Sequence, residues 1–322
     1  MPTPLPVVVT HANTFHPDEV LAIALLERFY FQAKVQVHRT RDPKELQEAT
    51  NNPEQFVVDV GFGFDPSKRN FDHHQQDMTH TWSDGTPFSA CGLIWRHLRQ
   101  EGFLSAYDQE LLDRMEEVLI RPADKLDNGL LSWEPGMVID GFNRGKDEQA
   151  QAFEKARAFA HELIDNLFYA QTQELEARQL IRDALTHDFD PELGILVLTE
   201  RSGGSMTGVL AEEESQGQAQ LILHPRQNGQ QWSITTVPQS IHEPFSMKNP
   251  TPEAWRGRGD FEETIEGQAI RFVFCHKAGF MSIIEGSLEQ AKHVAGAIRK
   301  HQLELTLSED VNRTIRPFKR IP

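Results

Sequence analysis

The chain contains 322 residues, a length that predicts two domains, and 39% of them are hydrophobic and 25% charged, as in ordinary soluble globular proteins. Its formal net charge of −16 argues against a protein that coats nucleic acid through bulk electrostatics. A nuclease stays open, because bound metal ions add local positive charge. The cysteines, Cys91 and Cys275, form no CxxC pair and no disulfide framework, which favours a reducing cytoplasm. Residues 1–6 are too short for a signal peptide, and no apolar run approaches the ~18 residues of a membrane span.

The first part of the chain, residues 1–146, alternates strand-like and helix-like segments. Strands are predicted at residues 7–10, 35–38 and 56–60, and helices at residues 19–31, 89–100 and 108–120. This alternation is typical of βαβ units and predicts an α/β domain with a mostly parallel sheet. Ligands of such sheets bind beyond the carboxyl ends of the strands, where His11 and Asp59 are expected to lie.

A long helical connector is predicted at residues 147–190. Its apolar residues repeat at spacings of three and four and form one stripe, which consists of Phe153, Ala156, Ala160, Leu163 and Leu167. This pattern favours a helix that packs against one or both domains.

A smaller α/β domain is predicted at residues 191–301. Its strands are expected at residues 194–199, 218–224, 232–237 and 270–276, with a closing helix at residues 288–300. Residues 302–322 form a basic tail, since residues 292–322 contain seven Lys or Arg against three Asp or Glu. Such a tail could contact a phosphate backbone, or it could be a solvated end of an acidic protein.

Four groups of acidic and imidazole side chains mark the first domain. They are the stretch from His11 to Glu19, Asp59, the run Asp72-His73-His74, and the pair Asp124 and Asp127. Histidine and carboxylate ligands without cysteine suit Mn²⁺, Mg²⁺ or a mixed nitrogen and oxygen site. Because the candidates outnumber the ligands of one ion, we expect two divalent ions that share a bridging carboxylate.

Each group alone has a structural explanation. Asp18 and Glu19 in the first turn of a helix are favourable through the helix dipole. Asp127-Asn128-Gly129 is typical of a turn, and Asp59 could merely end a strand. Four such groups in the loops at one edge of a sheet favour a metal site over these separate explanations.

The motifs also carry a specific resemblance. In the first domain they are His11…Phe15-His16-Pro17-Asp18-Glu19, Val57-Val58-Asp59-Val60-Gly61, Phe71-Asp72-His73-His74-Gln75 and Asp124…Asp127-Asn128-Gly129. In the second they are Pro252-Glu253-Ala254-Trp255-Arg256-Gly257 and Cys275-His276-Lys277-Ala278-Gly279-Phe280. Together they resemble the melanocyte proliferating gene family, an outlying branch of the DHH phosphoesterase superfamily. The resemblance covers nearly the whole chain in the expected order.

The resemblance implies a DHH-type αβα domain that holds a dinuclear site, usually with manganese, and an activity described as 3′→5′ RNA exonuclease or metal-dependent protein hydrolase. By position, the implied metal ligands are His11, His16, Asp18, Asp59 as the bridging carboxylate, His73 and Asp127, with Asp124 in reserve. His74 would face the scissile phosphate or its leaving group, and Asp72 would orient the imidazoles. The middle member of the first motif is a histidine here, His16, where the superfamily has an aspartate.

The second domain is expected to bind the substrate. Candidate contacts are Arg226, Arg256, His276 and Lys277. Trp232 and Trp255 could stack bases, although core packing is the favoured reading of both. Residues 281–286 replace a Gly-rich turn of the family, and residues 201–205 are a candidate source of phosphate-facing amides.

The leading hypothesis is therefore a Mn²⁺-dependent phosphodiesterase, with Mg²⁺ as the alternative ion. It would degrade RNA or short oligonucleotides from the 3′ end with a two-metal-activated water. One alternative is hydrolysis of a small phosphorylated substrate, such as a cyclic dinucleotide or pyrophosphate. Another is a metal-stabilised binding protein without turnover. A cytoplasmic protein without membrane contact is expected, and a homodimer is kept open.

Overall fold

A computed structural model describes residues 5–143, 145, 149–201, 206–226 and 229–315, with side chains described up to residue 307. The chain divides into two compact units, Met1–Thr172 and Gln173–Pro322. No helix in the described ranges is long and apolar enough to cross a membrane.

The first unit contains a five-stranded sheet in the order β2-β1-β3-β5-β4. The first four of these strands run parallel, and β4 is antiparallel to β5. This topology confirms the predicted α/β domain with a mostly parallel sheet. The strands are β1 (Val7–His11), β2 (Gln36–Thr40), β3 (Phe56–Val58), β4 (Phe64–Asp65) and β5 (Asn70–Phe71).

Helices cover this sheet and build the core of the first unit. Every residue of α1 is buried, because its sequence is an almost continuous apolar run after the first turn. A π-helical segment, Leu26–Phe31, extends α1 to the predicted end of the helix, and a second one, Glu116–Ile120, joins α4 to α5. The helices are α1 (Pro17–Leu25), α2 (Pro43–Thr50), α3 (Ala90–Gln100), α4 (Gln109–Met115), α5 (Arg121–Asp127) and α6 (Glu134–Asp140).

The next helix, α7 (Gln149–His187), is 39 residues long, and the boundary between the two units falls inside it. Three residues of the predicted stripe, Phe153, Ala156 and Ala160, are buried. Beyond Ala160 the predicted stripe is wrong. Ile164 and Phe168 are buried there, whereas the predicted Leu163 and Leu167 are only half-buried. The buried apolar positions from Ala156 to Phe168 therefore recur every fourth residue, where the prediction alternated spacings of three and four.

The second unit contains a seven-stranded sheet in the order β10-β11-β12-β9-β8-β7-β6. All its pairs are antiparallel except β7 with β8. The helices are α8 (Thr207–Glu214) and α9 (Leu288–Ile315), and α9 continues beyond the predicted end at residue 300. The strands are β6 (Phe189–Asp190), β7 (Ile195–Val197), β8 (Leu221–Arg226), β9 (Gln231–Thr236), β10 (Gly259–Ile265), β11 (Gln268–Cys275) and β12 (Met281–Glu285).

Three strands of the second sheet, β6, β10 and β12, were not predicted, and β6 lies at the end of the predicted helical connector. The segment in place of the family's Gly-rich turn contributes most of its residues to β12, which pairs with β9 and β11 inside the sheet. Its three middle residues, Ser282, Ile283 and Ile284, are buried, as expected for a strand inside the sheet.

Candidate metal centre

Three neighbouring parallel strands end in the residues singled out from the sequence. His11 is the last residue of β1, Asp59 follows β3 directly, and Asp72 follows β5 directly. Since β1, β3 and β5 are adjacent and parallel, their carboxyl ends meet at one edge of the sheet. The predicted strand over residues 56–60 ends early, at Val58, because Asp59 has a left-handed backbone with a φ of 58°.

His11 lies against two carboxylates. Its Nε2 atom is 3.0 Å from Oε1 of Glu19 and 3.2 Å from Oδ2 of Asp59. Glu19 is placed by the start of α1, since its Oε2 atom accepts a hydrogen bond of 2.7 Å from the backbone N–H of His16. Asp18 and Glu19 are both fully buried, in contrast to ordinary first-turn acids on a helix surface.

Asp59 connects this group to the Asp-His-His run. Its Oδ1 atom lies 3.2 Å from Nε2 of His73, while its other oxygen faces His11. The same Nε2 atom of His73 lies 3.3 Å from Oδ2 of Asp127 and 3.9 Å from Oδ2 of Asp18. Asp59 therefore lies between two sets of imidazole and carboxylate groups, as a bridging ligand would.

Asp72 and His74 form a separate pair. The buried Asp72 accepts hydrogen bonds at Oδ1 from the His74 backbone N–H, at 3.1 Å, and from its Nδ1, at 2.7 Å. Its Oδ2 atom accepts from the backbone N–H of Phe62 at 2.6 Å. The His74 side chain is 50% exposed, so this imidazole is both oriented and accessible.

The side chains converge into three potential ligand groups, each with ligand atoms within 4.8 Å of one another. Asp59 and His16 each belong to two of the groups, and every predicted metal ligand belongs to at least one. The groups are His11, His16, Glu19 and Asp59; Asp59, His73 and His74; and His16, Asp18 and Asp127.

Several buried polar atoms of these groups lack a hydrogen-bond partner in the described part of the chain. They approach one another closely without satisfying hydrogen-bond geometry. A buried polar atom left without a partner costs about 1–3 kcal/mol, so five at one place call for a ligand. Donors of this kind fit a divalent cation. The five atoms are His11 Nε2, Asp18 Oδ1, Glu19 Oε1, Asp59 Oδ1 and His73 Nε2.

The buried carboxylates of the cluster also favour a bound positive charge. Burial raises the pKa of Asp18, and the charges of Asp59 and Asp127 raise it further. Burial alone would lower the pKa of His11, but the Asp59 and Glu19 carboxylates raise it to about 10. Burial would raise the pKa of Asp59, whereas His11 and His73 lower it. Without cations, the raised pKa values of Asp18 and His11 favour protons on both side chains, and bound cations would supply this positive charge instead.

Glu19 was not among the predicted ligands, although it is in contact with His11 and groups with Asp59. Its position directly after Asp18 in the first motif was the sequence signal for a ligand. The helix dipole, however, already explained an acid in the first turn of the helix. Asp124, the reserve candidate, belongs to none of the three ligand groups. Its carboxylate accepts four hydrogen bonds, from Trp82 Nε1, Ser89 N, Ser89 Oγ and Gly92 N.

The second unit contains a cavity of about 320 Å³ that includes one of the predicted substrate contacts, Arg226. None of the described residues that line it is acidic, and Arg201 adds a second cation. His224 also lines the cavity, where burial lowers its pKa and the neighbouring arginines lower it further. Phe280 also lines the cavity, and its ring stacks on His276 with centroids 3.9 Å apart. Residues 202–205 of the predicted phosphate-facing loop lie outside the described residues.

Arg256 and Lys277 do not line this cavity. The Nε atom of Arg256 donates a hydrogen bond of 2.7 Å to the backbone oxygen of Thr251, and Lys277 is exposed. Trp255 is buried and packs against Phe272 in the core, which agrees with the favoured reading of that tryptophan.

The fold and the cluster define an α/β protein with a candidate centre for divalent cations at the carboxyl edge of a parallel sheet. Residues 7–297 match the family model MYG1_exonuc, described as "Uncharacterised protein family (UPF0160)". The chain belongs to this family, which confirms the resemblance inferred from its motifs.

Relatives extend over most of the chain. It is 29% identical to the MYG1 exonuclease of Bos taurus, over 89% of this chain and 84% of the relative. For the MYG1 exonuclease of Homo sapiens these values are 29%, 89% and 85%, and for the MYG1 protein of Chlamydia trachomatis they are 25%, 92% and 97%. The crystal structure of RecJ in complex with Mn²⁺ from Thermus thermophilus matches with a TM-score of 0.29 and 12% identity. That match covers 92% of this chain and 52% of RecJ, so the chain spans about half of RecJ's length.

Proposed function

We propose that this chain is a metal-dependent phosphodiesterase that removes nucleotides from the 3′ end of RNA. Membership of a family whose mammalian relatives are named exonucleases supports hydrolysis of nucleic acid. The observation that carries the proposal is the position of Asp59, whose two oxygens face His11 on one side and His73 on the other.

The donor set of the centre supports two divalent ions, for which we propose Mn²⁺ with Mg²⁺ as the alternative. His11, His16, Glu19 and Asp59 would hold one ion, and Asp59 with His73, Asp18 and Asp127 would hold the other. When bound, the two ions would activate a water molecule and neutralise the charge of a phosphodiester. Asp59 is then the shared ligand, and Glu19 joins the ligands inferred from the sequence.

His74 has a different proposed role. Its Nδ1 atom donates to Asp72, so the lone pair of Nδ1 is not available to a metal in this arrangement. The Nε2 atom is left for the substrate, where it would stabilise the phosphoryl oxygens or supply a proton to the leaving oxygen. Asp72 holds the ring in place and is a positioning residue.

The proposed substrate contacts of the second unit are Arg226, Arg256, His276 and Lys277. The basic cavity around Arg226 favours one alternative, hydrolysis of a small phosphorylated substrate such as a cyclic dinucleotide. A cavity of about 320 Å³ falls in the size range of small-ligand sites.

One assay separates these functions. The purified chain with Mn²⁺ is incubated with RNA labelled at either end, with a cyclic dinucleotide, and with pyrophosphate. The proposal predicts immediate release of mononucleotides from the 3′-labelled strand and a ladder of shortened 5′-labelled products. Faster turnover of the cyclic dinucleotide or of pyrophosphate would overturn it in favour of the alternative. Metal binding without turnover of any substrate would support the other alternative, a metal-stabilised binding protein without catalytic activity.

A further inference from the structure

Phe62 is unusual in both its exposure and its backbone. Its side chain is 76% exposed, and its φ of 52° lies in the left-handed region that bulky residues rarely adopt. The preceding Gly61 has a φ of 99°, and a Cβ atom there would lie 2.9 Å from Cγ2 of Thr50. A strained, exposed aromatic residue gains little from folding, so a role in binding is the better explanation.

The structure places this ring beside the candidate metal centre. The backbone N–H of Phe62 donates to Oδ2 of Asp72, and the Phe62 ring lies 6.5 Å from the ring of His74. The Nδ1 atom of His74 is in turn 3.6 Å from Oδ1 of Asp59. The His74 imidazole therefore neighbours both the Phe62 ring and the carboxylate proposed to bridge the ions.

Phe62 also borders a groove of about 480 Å³ that contains an arginine. Arg41 donates through Nε to the backbone oxygen of Ala12 at 2.9 Å, and its Nη2 atom lies 3.0 Å from Nδ1 of His11. Within the described part of the chain, Arg41 forms no ion pair with a carboxylate, and no acidic residue lines the groove. In a chain with a net charge of −16, this leaves a basic group next to an exposed ring.

We propose that Phe62 and Arg41 form a subsite for the terminal nucleotide of the substrate strand. The Phe62 ring would stack on the base, and the Arg41 guanidinium would contact a phosphate. Stacking tolerates any sequence because every base has a π face, and a guanidinium retains free N–H donors for phosphate oxygens. This subsite rests on the proposed function, since it names the part of a nucleic acid strand that the centre receives.

The test compares two short RNA strands that differ only in the last residue, which carries a base or is abasic at the 3′ end. Dissociation constants are measured by fluorescence anisotropy with Ca²⁺ in place of Mn²⁺, so that the strands are not consumed. We expect the wild-type chain to bind the complete strand about tenfold more tightly. Phe62→Ala and Phe62→Leu should reduce this ratio to about one, whereas Phe62→Trp should retain it.

Tyr169→Ala is the matched control, because Tyr169 is 68% exposed on α7 and takes no part in the proposed site. It should keep the wild-type ratio. Phe62→Gly should lose the ratio without lowering the melting temperature, because glycine removes the backbone strain and no buried surface is lost.

The subsite is overturned if the wild-type chain binds both strands equally, binds neither, or if Phe62→Ala keeps the ratio. A lower melting temperature for Phe62→Gly would instead indicate a structural role and would also overturn it. Failure of the proposed function has a different signature, since the binding ratio would persist while Mn²⁺ supports no hydrolysis of either strand.

Discussion

The Nδ1 atom of His74 lies 2.7 Å from Oδ1 of Asp72, and this oxygen also accepts the backbone N–H of His74. One carboxylate oxygen thus fixes both the ring and the backbone of the same residue. Because a carboxylate can only accept, Nδ1 must carry the proton. The hydrogen bond with Asp72 raises the pKa of His74, and burial opposes this increase. The pair orients an accessible imidazole at the edge of the candidate metal centre.

Replacing Asp72 by asparagine tests this orientation. Asp72→Asn retains the size of the side chain but places an amide group among three donors, so we expect a kcat about 10- to 100-fold lower. Metal content, measured by mass spectrometry of the desalted protein, should not change. A variant that loses its metal would show that Asp72 holds the ions and not the imidazole.

Asp59→Asn should abolish the centre itself. The amide keeps one oxygen but loses the charge that faces both His11 and His73. We expect at least a 100-fold loss of kcat/KM, on the order of the effect of disrupting a metal site, together with loss of bound metal. Asp77→Asn, at an exposed position in the same unit, is the control and should behave as the wild type. Comparable activity in Asp59→Asn and the wild type would refute the assignment.

Removing the metal should lower the stability of the folded chain, because the clustered carboxylates then repel one another. Mn²⁺ at about 100 times its dissociation constant should stabilise the folded chain by about 2.7 kcal/mol for each ion bound, which a thermal scan with and without chelator measures. Asp18→Asn removes a buried carboxylate whose ionised form is disfavoured by burial and by Asp59 and Asp127. Its metal-free melting temperature should therefore rise by about 2–4 °C, while the shift caused by Mn²⁺ becomes smaller because one of the two ions loses a ligand. An unchanged Mn²⁺ shift would remove Asp18 from the ligands.

Glu27 supplies a prediction about stability and pH. Burial would raise the pKa of Glu27, but hydrogen bonds from His161 and the Val35 N–H and the charge of Arg157 lower it below 4.5. Since the folded pKa is depressed, its stabilisation is present above the unfolded pKa and is lost as pH falls through the folded value.

Glu27→Gln should therefore cost about 1–3 kcal/mol at pH 7, and this cost should decrease as the pH falls through the depressed pKa of Glu27. Hydrogen exchange of the segment around Val35 measures this cost within the first unit. Glu54→Gln, at an exposed position, is the control. An equal cost at pH 7 and below that pKa would show that charge is not involved.

Replacing Arg226 tests whether the second unit binds the substrate. Arg226→Ala removes a cation from the basic cavity, so we expect KM for RNA to rise severalfold while kcat stays within about twofold. The slope of log KM against log salt should fall by about one, as expected for one lost phosphate contact. Arg271→Ala is the control, since that arginine is exposed and pairs with Asp260. A loss in kcat without a change in KM would contradict a binding role.

Much of the first unit follows from the sequence. The alternation of apolar strands and helices predicted the parallel sheet, and the motifs around His11, Asp59 and His73 indicated the candidate ligands. Periodicity succeeds here because buried parallel strands are continuous apolar runs. It failed for β4 and β5, which have two residues each and show no period.

The sequence alone determined which residue types were available for chemistry and the order of the motifs that carry them. Only the tertiary structure decided how they meet. The short strand β5 lies beside β3 and brings the Asp-His-His run to the edge where His11 and Asp59 already lie. The packing of α1 buries Glu19 against His11, and the left-handed backbone at Phe62 directs an exposed ring towards His74. These contacts join side chains from different strands, helices and loops, so the pattern within any one element does not contain them.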